Sequence, residues 1–416
     1  MDYTELSKNL TTNINKIEKK NNGIYFTPPE IIYKNIEFLK PYLKNIKSIL
    51  EPSCGSCEYI LKLNKQLPTI NITGIELNNT IYESIKQYET NEITLINDNY
   101  LTHDFNKKYD LIIGNPPYFV MKKTDVEKSY YDYFDGRPNI FILFIVKSMR
   151  LLNKDGIISF VLPKSFLNCL YYDKTRKYII KNYNILNIIE CSDDKYLETQ
   201  QNTILLIIQN NKPANDVTVA NDVTVANDDL PYTINISGYT IFGTIANIKQ
   251  LNLLYQDSKS LHELGFDISV GNVVWNQCKD SLTDDSNQTR LIYSSDILDN
   301  KLTIKKYNNK DKKNYINKKG INGPLMVINR GYGVGTYNFN YCLINENSKF
   351  NYLIENHLIC IKYNKNVLTN DELVKKYNQI INSFNNQKTN EFINIYFGNN
   401  AVNTTELHEI LPIYDI

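Results

Sequence analysis

The chain lacks any apolar run of membrane-spanning length. Its longer runs, such as Phe141–Val146 and Ile204–Ile208, fall far short of the roughly 20 residues a spanning helix needs. It also lacks the apolar core of a signal peptide, since Met1 to Lys20 is polar, and a soluble, intracellular protein away from membranes is expected. Cysteines are few and scattered: of seven, only Cys54 and Cys57 form a close pair, with no second pair at zinc-ligand spacing. No metal and no disulfide framework are therefore expected. The chain has almost no net charge, +1, so any nucleic-acid footprint must be local.

What remains is ordinary for a globular protein, with 42% hydrophobic and 22% charged residues. A length of 416 residues exceeds one average core, and two domains are expected. The abundance of Asn, Lys, Ile and Tyr is read as coding bias, which weakens arguments from Lys or Tyr numbers alone.

Between Ser48 and Ile208, short apolar runs alternate with helical periodicity, the pattern of a wound α/β sheet. Strands are expected at Ser48–Leu50, Ile72–Ile75, Thr94–Ile96, Asp110–Ile113, Gly156–Leu162, Ile185–Glu190 and Thr203–Ile208. Helices are expected at Glu30–Lys40, with Pro41 as a stop, and at Phe141–Leu152. From Asn215 to Asp228 the unit Asn-Asp-Val-Thr-Val-Ala occurs twice and begins again. It reads as a linker or duplicated surface loop, a short hairpin being the other reading. The expected division is a catalytic domain over 1–212, a linker over 213–229 and a mixed α+β domain over 230–416.

Chemistry concentrates at strand ends, where open α/β sheets bind ligands. Glu51-Pro52-Ser53-Cys54-Gly55 follows the first strand: small side chains admit a cofactor to the backbone, and Glu51 can accept from an ammonium group. A plain turn, or a redox pair at Cys54 and Cys57, is the other reading. Glu76 closes the second strand and can take both hydrogens of a ribose diol. Asp98, flanked by Asn99 and Tyr100 after the third strand, can accept from the amino group of a cofactor adenine, although Asn-Asp-Asn is also a common turn composition.

The fourth strand ends in Asn115-Pro116-Pro117-Tyr118. An aromatic amine is a poor nucleophile because its lone pair is delocalised, so it needs acceptors on its two hydrogens. The Asn115 side-chain carbonyl and the Pro116 backbone carbonyl can supply them. Proline fixes φ and removes a competing donor, which stiffens the loop. Tyr118 can stack on a base.

Together these segments resemble the gamma class of adenine-specific DNA methyltransferases, the Taq-type enzymes of type II restriction-modification systems. The resemblance spans about residues 20 to 210. It implies a Rossmann-like S-adenosylmethionine-dependent methyltransferase domain followed by a target-recognition domain. It further implies that Thr27, in Tyr25-Phe26-Thr27-Pro28-Pro29, closes over the cofactor, and that Glu51, Pro52, Ser53, Cys54, Gly55, Glu76, Asp98, Asn99, Asn115 and Pro117 line its site. Asn115, Pro116, Pro117 and Tyr118 would be catalytic, and Tyr196 would stack on the other face of a flipped adenine. The first cofactor loop departs from the family in keeping only one glycine.

For DNA contact, residues 301–319 carry eight lysines against one aspartate, with Tyr307 and Tyr315 interleaved. Lys305, Lys306, Lys310, Lys312, Lys313 and, further on, Arg330 are the phosphate-contact candidates. A solvated loop in a lysine-biased chain is the bland reading. The expected activity is methyl transfer to the N6 amino group of a flipped adenine in double-stranded DNA, by a monomer that a separate restriction endonuclease can accompany. The alternatives are methylation of RNA adenine or protein glutamine, or a catalytically silent DNA-binding homologue.

Overall fold

The structure is a computed structural model. It describes all residues except 1, 192–195, 200, 213–229, 332–336, 345–349, 366–367, 398–400 and 416. The repeat of Asn215–Asp228 lies outside the described residues. Two compact units are present, Met1–Ile248 and Lys249–Ile416. The first therefore extends beyond the start near Leu230 that the sequence suggests for the second.

In the first unit, helices α1 (Glu5–Asn13), α2 (Lys16–Asn22) and α3 (Pro29–Leu43) precede a seven-stranded sheet. Its strands are β1 (Ser48–Glu51), β2 (Asn71–Glu76), β3 (Ile93–Asn97), β4 (Tyr109–Gly114), β5 (Leu152–Pro163), β6 (Asn184–Glu190) and β7 (Thr203–Gln209). Helices α4 (Glu58–Gln66), α5 (Asn79–Ile85), α6 (Ile140–Arg150) and α7 (Asp173–Asn182) fill the connections. The strand order is β3-β2-β1-β4-β5-β7-β6. Strands β1 to β5 pair in parallel, and β7 runs antiparallel to both β5 and β6. This is a Rossmann-like doubly wound architecture, as the sequence resemblance implies.

Both faces of the sheet are covered, so its strands read as continuous apolar runs with inward residues on each side. Leu50, Ile112, Ile158, Phe160 and Leu206 pack with α6 on one side. Ile49, Leu111, Ile113, Ile157 and Ile207 pack with α3 and α4 residues such as Ile36, Leu39 and Ile60 on the other. The order reverses between β1 and β4, and a crevice opens there beyond the carboxyl ends. The register Glu51↔Gly74, Ile49↔Leu111 and Glu76↔Asn97 sets the ends of β1, β2, β3 and β4 in one row.

Two expected boundaries are corrected. Helix α3 continues through Pro41 to Leu43, because a proline in the last turn forfeits one hydrogen bond with little helix left to disrupt. Strand β5 begins at Leu152 rather than Gly156, pairing with Tyr109 before a register shift, and Asp155 there has φ 62°.

A hairpin, β8 (Thr233–Ile236) and β9 (Tyr239–Phe242), belongs to the first unit for an identifiable reason. Thr240 N–H donates to Asp173 at 2.7 Å. The fully buried Arg176 guanidinium donates to the carbonyls of Thr240, Phe166 and Cys169.

The second unit is mixed α+β. One antiparallel sheet takes Phe266–Val270, Leu358–Tyr363, Leu325–Asn329 and Tyr341–Ile344 in that order. A second sheet centres on Thr289–Ile292, parallel to Tyr352–Ile354. Helix Asn370–Phe384 starts with a capping box between Thr369 and Glu372. Among the described residues, no helix is long and apolar enough to cross a membrane.

Candidate active site

A cavity of about 370 Å³ lies at the carboxyl ends of β1, β2, β3 and β4. Of the residues singled out in the sequence, Pro52, Ser53, Gly55, Glu76, Asp98, Asn99, Asn115 and Pro117 line it. Glu51 and Cys54 are buried and do not line the cavity, and neither do Thr27, Pro116 or Tyr118. In place of Thr27, its neighbours Tyr25 and Phe26 form the wall.

The loop after β1 is shaped around Glu76. Its carboxylate accepts from Gly55 N–H at 3.0 Å and Asn78 N–H at 2.7 Å. Burial pushes the Glu76 carboxyl up to about 7, although these backbone donors pull it down. Gly55 has φ 49°, and a Cβ there would meet the Phe26 ring at 3.4 Å.

Glu51 is held well above the usual carboxylate range by burial and by the neighbouring Cys57, Glu76 and Glu58. Its Oε2 has no hydrogen-bond partner among the described residues, which leaves a buried polar atom unsatisfied behind the cavity wall. Asp98 is exposed. Its hydrogen bond to His103 Nδ1, at 2.7 Å, and the backbone N–H of Asn99 hold its carboxyl below the usual range.

Asn115 is fixed at both ends. Its Nδ2 donates to Tyr25 O at 3.1 Å, which leaves Oδ1 as the acceptor end. That oxygen accepts from the Tyr118 hydroxyl at 2.6 Å, and the same hydroxyl lies 2.8 Å from Val161 O. Ser53 Oγ donates to the Asn115 backbone carbonyl at 3.1 Å, tying the β1 loop to the β4 loop. The Tyr118 ring meets Phe141 edge-on, centroids 6.0 Å apart. Gly114 has φ 150°, and a Cβ there would approach Glu51 Cγ at 3.2 Å.

Sequence reasoning placed Tyr25 and Phe26 in the segment that closes over the cofactor but missed Asn22, Gly23 and Ile24 before them, all of which line the cavity. Gly23 is the pivot of the segment: it ends α2 with φ 64°, and a Cβ would stand 2.6 Å from Tyr118 N and 3.1 Å from Pro117 Cβ. The signal was present, because Asn22-Gly23 after a helical stretch is a left-handed helix stop. The apolar Phe119, Ile140 and Phe144, also missed, add a wall suited to a ring system.

Tyr196 is buried among Ile31, Val161, Cys191 and Leu205. It borders a small separate hollow with Lys19, Tyr25 and Phe26, not the main cavity. In the second unit, Lys305, Lys306 and Lys310 are exposed. By contrast, Lys312 sits over the rings of Tyr293 and Tyr307 at 4.1 and 4.2 Å, and Lys313 pairs with Asp284 at 2.5 Å. Arg330 is half-buried, its carbonyl accepting from Val402 N–H at 2.9 Å.

The Glu76 and Asp98 carboxylates in the lining, the buried Glu51 behind them with an unpartnered Oε2 and an apolar wall fit S-adenosylmethionine, which carries an ammonium group, a ribose diol and an adenine. The fold and the cavity define a Rossmann-like S-adenosylmethionine-dependent methyltransferase. Residues 7–196 match the family described as Eco57I restriction-modification methylase.

The whole chain is similar to the type II methyltransferase M.CvrRI of Paramecium bursaria Chlorella virus XZ-6E, 26% identical over 96% of each chain. It is similar, too, to the modification methylase CviBIII of Paramecium bursaria Chlorella virus NC1A, 26% identical over 99% of each. Among solved structures, the type IIG restriction endonuclease BpuSI aligns with 99% of this chain and 61% of its own, at 10% identity and a TM-score of 0.46. The motif resemblance holds: residues 7–196 match a restriction-modification methylase family, and the whole chain is similar to methyltransferases of that kind.

Proposed function

We propose that the chain methylates the N6 amino group of an adenine flipped out of double-stranded DNA. The carrying observation is the state of Asn115, a cavity-lining residue whose donor end is tied to Tyr25 O and whose acceptor end is held by the Tyr118 hydroxyl. An amino group that replaces that hydroxyl meets an acceptor whose orientation is already fixed. Adenine rather than cytosine rests on the Asn-Pro-Pro-Tyr form of the loop and on its place after the cofactor segments.

S-adenosylmethionine supplies an electrophilic sulfonium methyl. When it is bound, Glu51 would accept from its ammonium group, Glu76 from the ribose hydroxyls and Asp98 from the adenine amino group. Asn115 Oδ1 and the Pro116 carbonyl draw on the hydrogens of the target amine and bring its lone pair toward the methyl.

In the free chain the Tyr118 hydroxyl occupies Asn115 Oδ1. The incoming base therefore displaces this hydroxyl, and the released ring stacks on the base. For Tyr196, burial in an apolar cluster favours packing behind the loop over stacking. The catalytic role is assigned to the first domain and DNA reading to the second, with Lys305, Lys306 and Lys310 on phosphates.

The test has two arms. Modification-sensitive sequencing of DNA from cells expressing the chain should show N6-methyladenine at one recurring sequence; N4-methylcytosine, or label transferred only to RNA or protein, would sink the reading. Asn115→Ala should bind cofactor normally yet methylate on the order of 100-fold or more slowly.

A further inference from the structure

Two histidines and a glutamate that no part of the methyl-transfer site uses converge within the second unit. His262 lies in the turn between Ser258–Lys259 and Phe266–Val270. His408 and Glu409 lie in the π-helical turn Glu406–Ile410 near the C-terminus. Such turns are rare and recur at functional sites. The segments are already joined by the main chain, His262 N–H donating to His408 O at 3.1 Å, and the two imidazoles meet edge-on with centroids 5.0 Å apart.

The hydrogen-bond chemistry of His408 is the argument. Its Nε2 is 2.9 Å from the backbone carbonyl of Phe266. A carbonyl only accepts, so Nε2 carries the proton, and in a neutral imidazole Nδ1 then presents a lone pair. That Nδ1 lies 2.8 Å from Glu409 Oε1, and His262 Nδ1 lies 3.7 Å from the same oxygen. The His408 lone pair facing a carboxylate calls for positive charge between them, and His262 Nδ1 is close enough to share it.

A cation meets that need with little movement. All three ligand atoms lie within 4.8 Å of one another. A tetrahedral zinc ion with ligands at roughly 2.0–2.2 Å has ligand-to-ligand edges of about 3.4 Å, a value the two measured separations bracket. The bond from His408 Nε2 to a backbone carbonyl is the outer-shell anchor that metal-bound histidines usually have. Two imidazoles and one carboxylate favour zinc-like first-row ions over magnesium or calcium.

We propose that His262, His408 and Glu409 bind one zinc-type divalent cation, with solvent completing the shell on the exposed His262 side. The ion clips the turn at His262 to the C-terminal turn, and because these lie far apart in sequence it closes a long loop. The site lies outside the methyl-transfer cavity and does not depend on which base is methylated. The absence of close-spaced ligands is why the sequence suggested no metal.

The test uses the full chain, stripped by chelator, desalted and kept reduced. It is titrated with Zn²⁺ against a chromophoric chelator, and separately with Co²⁺ while the visible d–d bands are recorded. The seven cysteines, all free thiols, are the competing ligands, so variants decide. The result expected is one Zn²⁺ per chain, weakened at least ~10-fold by His262→Ala, together with Co²⁺ bands lost in that variant. His262 has a 64% exposed side chain, and its replacement leaves the fold intact by circular dichroism. Glu409→Gln should weaken binding in the same way. Failure of the wild-type chain to bind Zn²⁺, or binding equal in the wild type, His262→Ala and Glu409→Gln, would overturn the site.

Discussion

At the scale of single residues, the site is a set of interactions that hold Asn115 in one orientation, and each can be removed separately. Tyr118→Phe keeps the ring but deletes the hydroxyl that caps Asn115 Oδ1. A net hydrogen bond is worth about 1 kcal/mol, roughly five-fold, so the base-inserted state should gain by that factor. Fluorescence of 2-aminopurine at the target position measures it, and an unchanged insertion equilibrium would argue that the hydroxyl does not compete with the base. Gly23→Ala acts from behind the loop. Alanine at a left-handed position costs about 1 kcal/mol, and its Cβ would stand 2.6 Å from the Tyr118 backbone nitrogen. The catalytic loop must shift, and kcat should fall on the order of 10- to 100-fold while cofactor affinity changes less.

At the scale of elements, the end of β2 carries a pH dependence. Glu76 is raised from 4.5 to about 7 by burial. A carboxyl raised in the folded state keeps its proton where the unfolded chain has lost it, so the folded state binds more protons between these values. Stability of the cofactor-free chain should therefore fall as pH rises from about 4.5 to about 7, by about 3 kcal/mol. With Glu76 in its proposed role, ribose hydroxyls would donate to the ionised carboxylate, so cofactor affinity should rise over the same interval. Thermal melts and cofactor titrations at pH 5, 6, 7 and 8, compared with Glu76→Gln, check both slopes; parallel curves for the two proteins would remove Glu76 as their source.

The element scale also shows what the sequence makes legible. All seven strands of the sheet stand near their expected places, because a buried parallel strand is a continuous apolar run and Glu51, Glu76, Asp98 and Asn115 follow such runs directly. What escaped depends on distant partners. Tyr25 and Phe26 become cavity wall only because Gly23 turns them toward residues 115–118, and Tyr196 is buried by Ile31 and Val161 from other parts of the chain. Likewise, β8 and β9 join the first unit through Asp173 and Arg176, a polar tie with no periodicity to read. Leu152 enters β5 early because its partner Tyr109 precedes a register shift, and bulges leave no mark in apolar spacing.

At the scale of the whole molecule, a net charge of +1 means that DNA affinity must come from a local field. The lysines of residues 301–319 divide by what they touch. Lys312 is wedged over Tyr293 and Tyr307, and burial lowers its pKa. Replacing it by alanine should therefore cost stability of the second unit. Lys305, Lys306 and Lys310 are exposed, and their joint replacement by alanine should spare stability and weaken DNA binding. Every phosphate left without its lysine lowers the slope of log affinity against log salt by about 0.9, so the triple variant should drop by close to ~3 units of slope if all three reach the backbone. Cofactor affinity should stay unchanged, because Glu51, Glu76 and Asp98 belong to the other unit. Binding titrations across a salt series measure the slope, and a triple variant with the wild-type slope would move the DNA-binding surface elsewhere on the chain.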